Sequence, residues 1–217
     1  GSPGYRSLAI GINADSLATW FMAAVAPSLH GLPLVLDVRV DDQDETHRML
    51  RDGDVAGCVS TRATPVQGCR AAALGRMVYR LYATPAFARR HFPDGVTAAA
   101  VDGAPALIYN RKDRVLHRLL KSQLAVRGDG FPRHYLPSSE KFVDWILAGL
   151  AYGMLPELQA LPLTAQGLLI DLLPGAVVDV ALYWHCWGVA TESLDMLTQA
   201  LVAGGRRSLE PAGDGAV

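Results

Sequence analysis

A β-like run from Cys69 to Thr84, with Met77, Val78, Tyr79, Leu81 and Tyr82 at its middle, constrains this chain more than any other feature. It is too long for one ordinary strand, since strands in globular proteins are usually about 3–10 residues. A run of that length leaves one sheet and enters another, and a β/α series stands on either side of it. Before it, Arg6 to Ile12, Leu34 to Val40 and Val55 to Ser60 read as strands. A helix capped by Asp15 or Ser16 and ended near Leu29 by His30-Gly31, and a second from Glu45 to Arg51, lie between them. The order β-α-β-α-β implies a parallel sheet with right-handed crossovers.

The same logic repeats after the long run. Pro85 to His91 reads as a helix with proline in its first turn, Ala106 to Tyr109 as a strand, Val115 to Leu124 as a helix and His134 to Leu136 as a strand. Ser138-Ser139-Glu140 then caps a helix from Lys141 to about Leu150, followed by a short strand at Met154-Leu155 and a helical turn from Pro156. Leu168 to Leu172 and Val177 to Trp184 are the last β runs, and Ser193 to Val202 is a final amphipathic helix. The stretch through Tyr183-Trp184-His185 is placed to cross back. The expected fold is therefore α/β, with two Rossmann-like lobes joined by two crossover strands. Residues 1–77 and 185–217 form lobe I, and residues 78–184 form lobe II. Open α/β sheets bind ligands beyond the carboxyl ends of their strands, so a small molecule is expected in a cleft between the lobes.

Composition narrows the function. Half the residues are hydrophobic, and 20 basic groups stand against 21 acidic ones with no basic run, so the electrostatic footprint of a nucleic-acid binder is missing. Three widely spaced cysteines, Cys58, Cys69 and Cys186, give neither a disulfide framework nor a metal pattern, which fits a reducing cytoplasm. Cys58 and Cys69 fall inside expected strands and read as buried small hydrophobes. No apolar stretch reaches the roughly 18–20 residues that span a bilayer. Gly1-Ser2-Pro3 looks like the scar of a cleaved tag, which makes the chain an excised domain, and Glu210 to Val217 reads as a frayed tail. No GxSxG, HExxH, Walker or GxGxxG motif is present, so neither an enzyme nor a metal or cofactor site is expected.

Ligand-binding candidates sit at the strand ends. Asn13-Ala14-Asp15-Ser16 joins the first strand to the first helix, where unpaired amides and the helix dipole favour a carboxylate; an ordinary N-cap is the bland alternative. Ser138-Ser139-Glu140 is the matching element in lobe II. Ser60-Thr61 places small hydroxyls after the third strand, although a polar loop explains them equally well. In Asn110-Arg111-Lys112-Asp113 the carboxylate of Asp113 suits a ligand ammonium or guanidinium, while a solvated turn is the favoured reading. Tyr183 and His185 belong to an aromatic crossover that lines a cleft wall or, on the favoured reading, packs a hinge.

Five strings in order carry a family resemblance: Ile12-Asn13-Ala14-Asp15-Ser16-Leu17-Ala18-Thr19-Trp20, Gly53-Asp54-Val55-Ala56-Gly57-Cys58-Val59-Ser60, Phe92-Pro93-Asp94-Gly95-Val96, Ser138-Ser139-Glu140 and Tyr183-Trp184-His185. Together they resemble the effector domain of LysR-type transcriptional regulators, in the ArgP/LysG branch, over Tyr5 to about Ser208. The resemblance implies a type 2 periplasmic-binding-protein-like fold and a basic amino acid, lysine or arginine, as effector. It implies control of an amino-acid exporter gene, a homodimer or homotetramer, and DNA contact only through a winged helix-turn-helix that would precede this segment. Asp15, Asp113 or Glu140 would then supply acid groups for the ligand's cations. The principal rival reading is a solute-binding protein of an amino-acid transport system; an enzyme on the same fold is the other.

Overall fold

In a computed structural model the described residues are 4–41, 43–189 and 191–212. The tag-like residues 1–3 and the last part of the expected frayed tail, 213–217, lie outside them. The chain divides into two compact units, Gly1–Met77 with Val180–Val217, and Val78–Asp179. Two strands run from one unit into the other: β4, Cys69–Ala83, and β9, Val178–Trp187. The long run is thus one continuous strand. The return passage falls between Asp179 and Val180, earlier than the expected break after Trp184.

In unit 1, β1 (Arg6–Ile12) pairs in parallel with β2 (Leu34–Val40) and with β3 (Gly57–Ser60), and β3 pairs antiparallel with β9. Side chains alternate across a strand, so Ala9 and Gly11 face one side of the sheet and Ile10 and Ile12, both fully buried, face the other. On the Ala9 side lies α3, Gln43–Asp52, whose Leu50 packs with Val55 and Cys58. The helix after β1 comprises α1 (Ala14–Ser16), a π-helical turn (Leu17–Phe21) and α2 (Met22–Leu29). It packs against α9, Glu192–Ser208, at a point where an added Cβ on Gly204 would stand 2.1 Å from the Cβ of Ala24.

Helix α9 runs past the expected end at Val202 because Gly204 and Gly205 are contact surface rather than a stop. A Cβ on Gly205 would meet the Leu74 carbonyl at 2.9 Å. The tail is not frayed at its start: Glu210 bridges to Arg76, and the Arg76 guanidinium donates to the Pro211 carbonyl at 2.8 Å. The bridge sits beside Gly75, where a side chain would strike the Glu210 carbonyl at 2.7 Å and φ is +138°.

Unit 2 is built on β4, β7 (Tyr152–Pro156), β5 (Ala106–Ile108) and β6 (Arg133–Tyr135), in that order, with β8 (Ile170–Asp171) on the other side of β4. β5 is parallel to both its neighbours, while β7 runs antiparallel to β4. Its helices are α4 (Pro85–His91), α5 (Ala98–Gly103), α6 (Val115–Leu124), α7 (Ser139–Leu147) and α8 (Glu157–Ala165). Tyr82, Leu107, Phe142, Ile146, Leu155 and Leu169 form one buried cluster. α5 was not expected from the sequence; the alanine run Ala98-Ala99-Ala100 favours it, and Thr97 caps it by accepting from the Ala100 N–H at 3.2 Å.

Candidate functional site

β1 leads directly into α1, and the capping residue is Asn13, in an extended conformation. The expected cap at Asp15 or Ser16 is corrected: the helix begins at Ala14 and takes both residues into its first turn. No side chain caps that turn, and helical geometry gives the first N–H groups no acceptor inside the helix. Asp15 and Ala14 are half-buried, Ser16 is fully buried, and the Asp15 carbonyl accepts the Thr19 hydroxyl at 2.6 Å. Buried with no hydrogen-bond partner are Asn13 Oδ1, Ser16 Oγ and the Trp20 indole N–H. Three orphaned polar groups within two turns, beside a π-helical segment, are unusual: buried groups are nearly always paired, and π turns cluster at functional sites.

The neighbouring strands bring further groups to the same unit. Gly11 pairs with Cys58, Cys58 with His185, and Ser60 with Tyr183. Ser60 is buried; its hydroxyl accepts the Arg62 N–H at 3.0 Å and lies 2.6 Å from Nε2 of His47 on α3. His185 is also buried, and its Nε2 donates to the Arg62 carbonyl at 2.6 Å. A carbonyl only accepts, so the proton is on Nε2 and Nδ1 keeps a bare lone pair. That Nδ1 is buried and has no donor. Burial, outweighing the opposing hydrogen bond to the Arg62 carbonyl, holds the His185 imidazole below its ordinary pKa and so favours the neutral ring. The His47 and His185 rings lie 5.0 Å apart. Tyr183 is half-buried and Thr61 exposed.

In unit 2, Ile108 pairs with Tyr135, and the Leu136 N–H donates to the Ile108 carbonyl at 3.0 Å. The turn after β5 and the cap of α7 therefore share one end of this sheet. Ser138 is that cap, as expected, its hydroxyl accepting the Lys141 N–H at 3.3 Å. Ser139 is buried and Glu140 exposed.

Asp113 is used differently from the charge-pairing role considered for it. Its two carboxylate oxygens accept the backbone N–H groups of Tyr109 at 3.2 Å and Val115 at 2.9 Å, which closes the turn and starts α6. Asn110 Oδ1 accepts from Lys112 and Asp113, and Arg111 stacks over the Tyr135 ring. Asp113→Ala should accordingly lower stability by about 1 kcal/mol, as the loss of a capping carboxylate does. Urea denaturation measures it, and an unchanged midpoint would show that the carboxylate holds nothing.

His47 and Arg62 escape a reading of the sequence alone. The signal for His47 was its place between Thr46 and Leu50, on the buried stripe of an otherwise charged helix. Cys58, Cys69 and Cys186 are free thiols. Burial pushes the Cys58 thiol up to about 12, which makes it an inert core residue. Among the described residues no cluster of side chains is arranged to hold a metal ion, and no helix is long and apolar enough to cross a membrane.

The LysR substrate binding domain family matches residues 6–203, and this chain belongs to it. A Pseudomonas aeruginosa relative, the HTH-type transcriptional regulator ArgP, is 47% identical over 210 residues, covering 97% of this chain and 67% of the relative. The structure of ArgP from Mycobacterium tuberculosis superposes with a TM-score of 0.89 at 37% identity, over 98% of this chain and 71% of that one. Full-length LysG from Corynebacterium glutamicum with bound effector Arg gives 0.86 at 34% identity, over 95% of this chain and 70% of that one. The fold is thus the type 2 periplasmic-binding-protein-like fold of LysR regulatory domains, as the sequence implied, and the chain is an effector domain of the ArgP/LysG kind. Its relatives are named as regulators of transcription, not as enzymes.

Proposed function

We propose that this domain senses a basic amino acid, lysine or arginine, and that the regulator carrying it controls an amino-acid exporter gene. The observation that carries the reading is that unit 1 holds two buried acceptors without donors, Asn13 Oδ1 and His185 Nδ1, as well as the unpartnered Ser16 hydroxyl. Each unsatisfied buried group costs about 1–3 kcal/mol, and a ligand rich in N–H groups removes that penalty. A free ammonium or guanidinium is such a ligand. The uncapped start of α1 supplies the complementary element, since helix N-termini favour a carboxylate. The bound arginine of the LysG structure agrees in chemical class.

Asp15 and Glu140 are the acid groups this reading assigns to the ligand's cations, with Asn13, Ala14, Ser16, Ser60, Thr61, Ser138, Ser139, Tyr183 and His185 as further contacts. Asp113 stays in the set only as a secondary contact, because its oxygens already serve the backbone. The regulator would act as a homodimer or homotetramer and reach DNA through an N-terminal domain. Calorimetric titration with L-lysine, L-arginine, L-glutamate and L-norleucine tests the effector. Only the basic pair should bind, and Asn13→Ala and Asp15→Asn should each weaken binding at least about tenfold, or 1.4 kcal/mol. Absence of binding by both basic amino acids, or wild-type affinity in both variants, would overturn the assignment.

A further inference from the structure

Unit 2 contains a cavity of about 470 Å³ whose wall is strongly cationic and unrelated to the residues assigned above. His117 and Lys121 fall at i and i+4 on one face of α6, and Arg114, the residue at its N-cap, precedes His117 by three. The chain then reverses at Ala125, the one non-glycine residue with positive φ (54°) among those described, and the following loop brings Arg127, Asp129 and Phe131 against that face. A left-handed alanine costs about 1–2 kcal/mol, and such strain collects at functional sites.

The charges there do not balance. Asp129 is the only carboxylate in the wall, and it is already shared among His117 at 2.5 Å, Arg133 at 3.1 Å and Arg114 at 3.8 Å. Lys121 and Arg127 have no carboxylate partner among the described residues. His117 adds a buried Nδ1 with no partner, and its ring lies 5.6 Å from that of Phe131. In a chain whose charges nearly cancel, this concentration is local. A cavity of this size falls within the range of about 300–1,000 Å³ that small ligands occupy, and guanidinium groups match the planar oxygens of carboxylates and phosphates.

We propose that this cavity is a second ligand site, which binds a small organic or inorganic anion of two or more negative charges between Arg114, Lys121 and Arg127. Its ligand is opposite in charge to the amino acid assigned to unit 1, so the two sites respond to different molecules and either assignment can fail alone. Inorganic phosphate and citrate separate the phosphate source of such an anion from the carboxylate source.

Calorimetric titration of the 217-residue protein with each, at ionic strength matched with potassium chloride, should give saturable one-to-one binding of at least one of them. K121Q/R127Q should weaken that binding at least tenfold while leaving L-arginine affinity and the urea midpoint unchanged, because both side chains are exposed. K121R, which keeps the charge, should bind the anion within about threefold of wild type. Failure of both anions to saturate, or equal anion affinity in K121Q/R127Q, overturns the site.

Discussion

Replacing Trp184 by alanine is expected to remove about 4 kcal/mol of stability, within the range of about 3–5 kcal/mol typical of a buried tryptophan. The side chain is 1% exposed. Its indole occupies the space a side chain on Gly57 would fill, where an added Cβ would stand 2.3 Å from the ring. Truncation therefore leaves a cavity bounded by backbone, which relaxes poorly. It also removes the indole N–H that donates to the Thr198 hydroxyl at 2.9 Å, one tie between β9 and α9. Urea denaturation followed by far-UV circular dichroism reads the loss. A decrease below about 1.5 kcal/mol would mean that β3 and α9 close over the gap.

The second large effect concerns the contact between α2 and α9. Alanine ordinarily stabilises a helix interior over glycine by about 0.5–1 kcal/mol. At Gly204 the sign should reverse, because the new methyl would stand 2.1 Å from the Ala24 Cβ and 2.8 Å from its Cα, far inside the 3.5–4.0 Å of favourable carbon contact. We expect Gly204→Ala to destabilise by about 2 kcal/mol, in the range measured for overpacking. Ala24→Gly in the same chain should recover part of the loss, since it removes the 2.1 Å clash and leaves only the 2.8 Å approach to the Cα. Stability equal to or above wild type in Gly204→Ala would show that the two helices separate freely.

Much of this fold was legible in sequence because its elements obey simple periodicities. β1, β2, α4 and α6 begin and end where alternation, the Pro85 start and the helical repeat put them. β4 was recognisable by length alone. The misses have physical reasons. α9 was cut short because glycines normally end helices, and only the structure shows Ala24 and Leu74 pressed against them. The tail looked frayed because an isolated bridge from Glu210 to Arg76 leaves no periodic trace.

For the candidate site residues, the sequence offered positions rather than roles. Asn13-Ala14-Asp15-Ser16 was located correctly at a strand end, but local propensity ranks aspartate and serine as caps and does not show which residue begins the helix. Asp113 announced itself by charge, yet its two oxygens each accept a backbone N–H of the turn it closes. His47, Arg62 and the cationic face of α6 look like ordinary helix and loop polarity until partners from distant sequence positions are in place.

The π turn at Leu17–Phe21 gives the helix after β1 a property that its length hides. An α-helix turns about 100° per residue, so one residue accommodated in a wide turn changes the phase between the helical segments on its two sides. The C-terminal half is held by the Ala24–Gly204 contact, and the N-terminal half carries Asn13, Asp15 and Ser16. The turn thus acts as a phase adjuster: it lets core packing dictate the bearing of one half while the other half points its polar groups along a bearing of its own. Deleting a single residue there would leave both halves helical and both compositions intact, yet it would swing the proposed effector contacts by roughly a quarter turn.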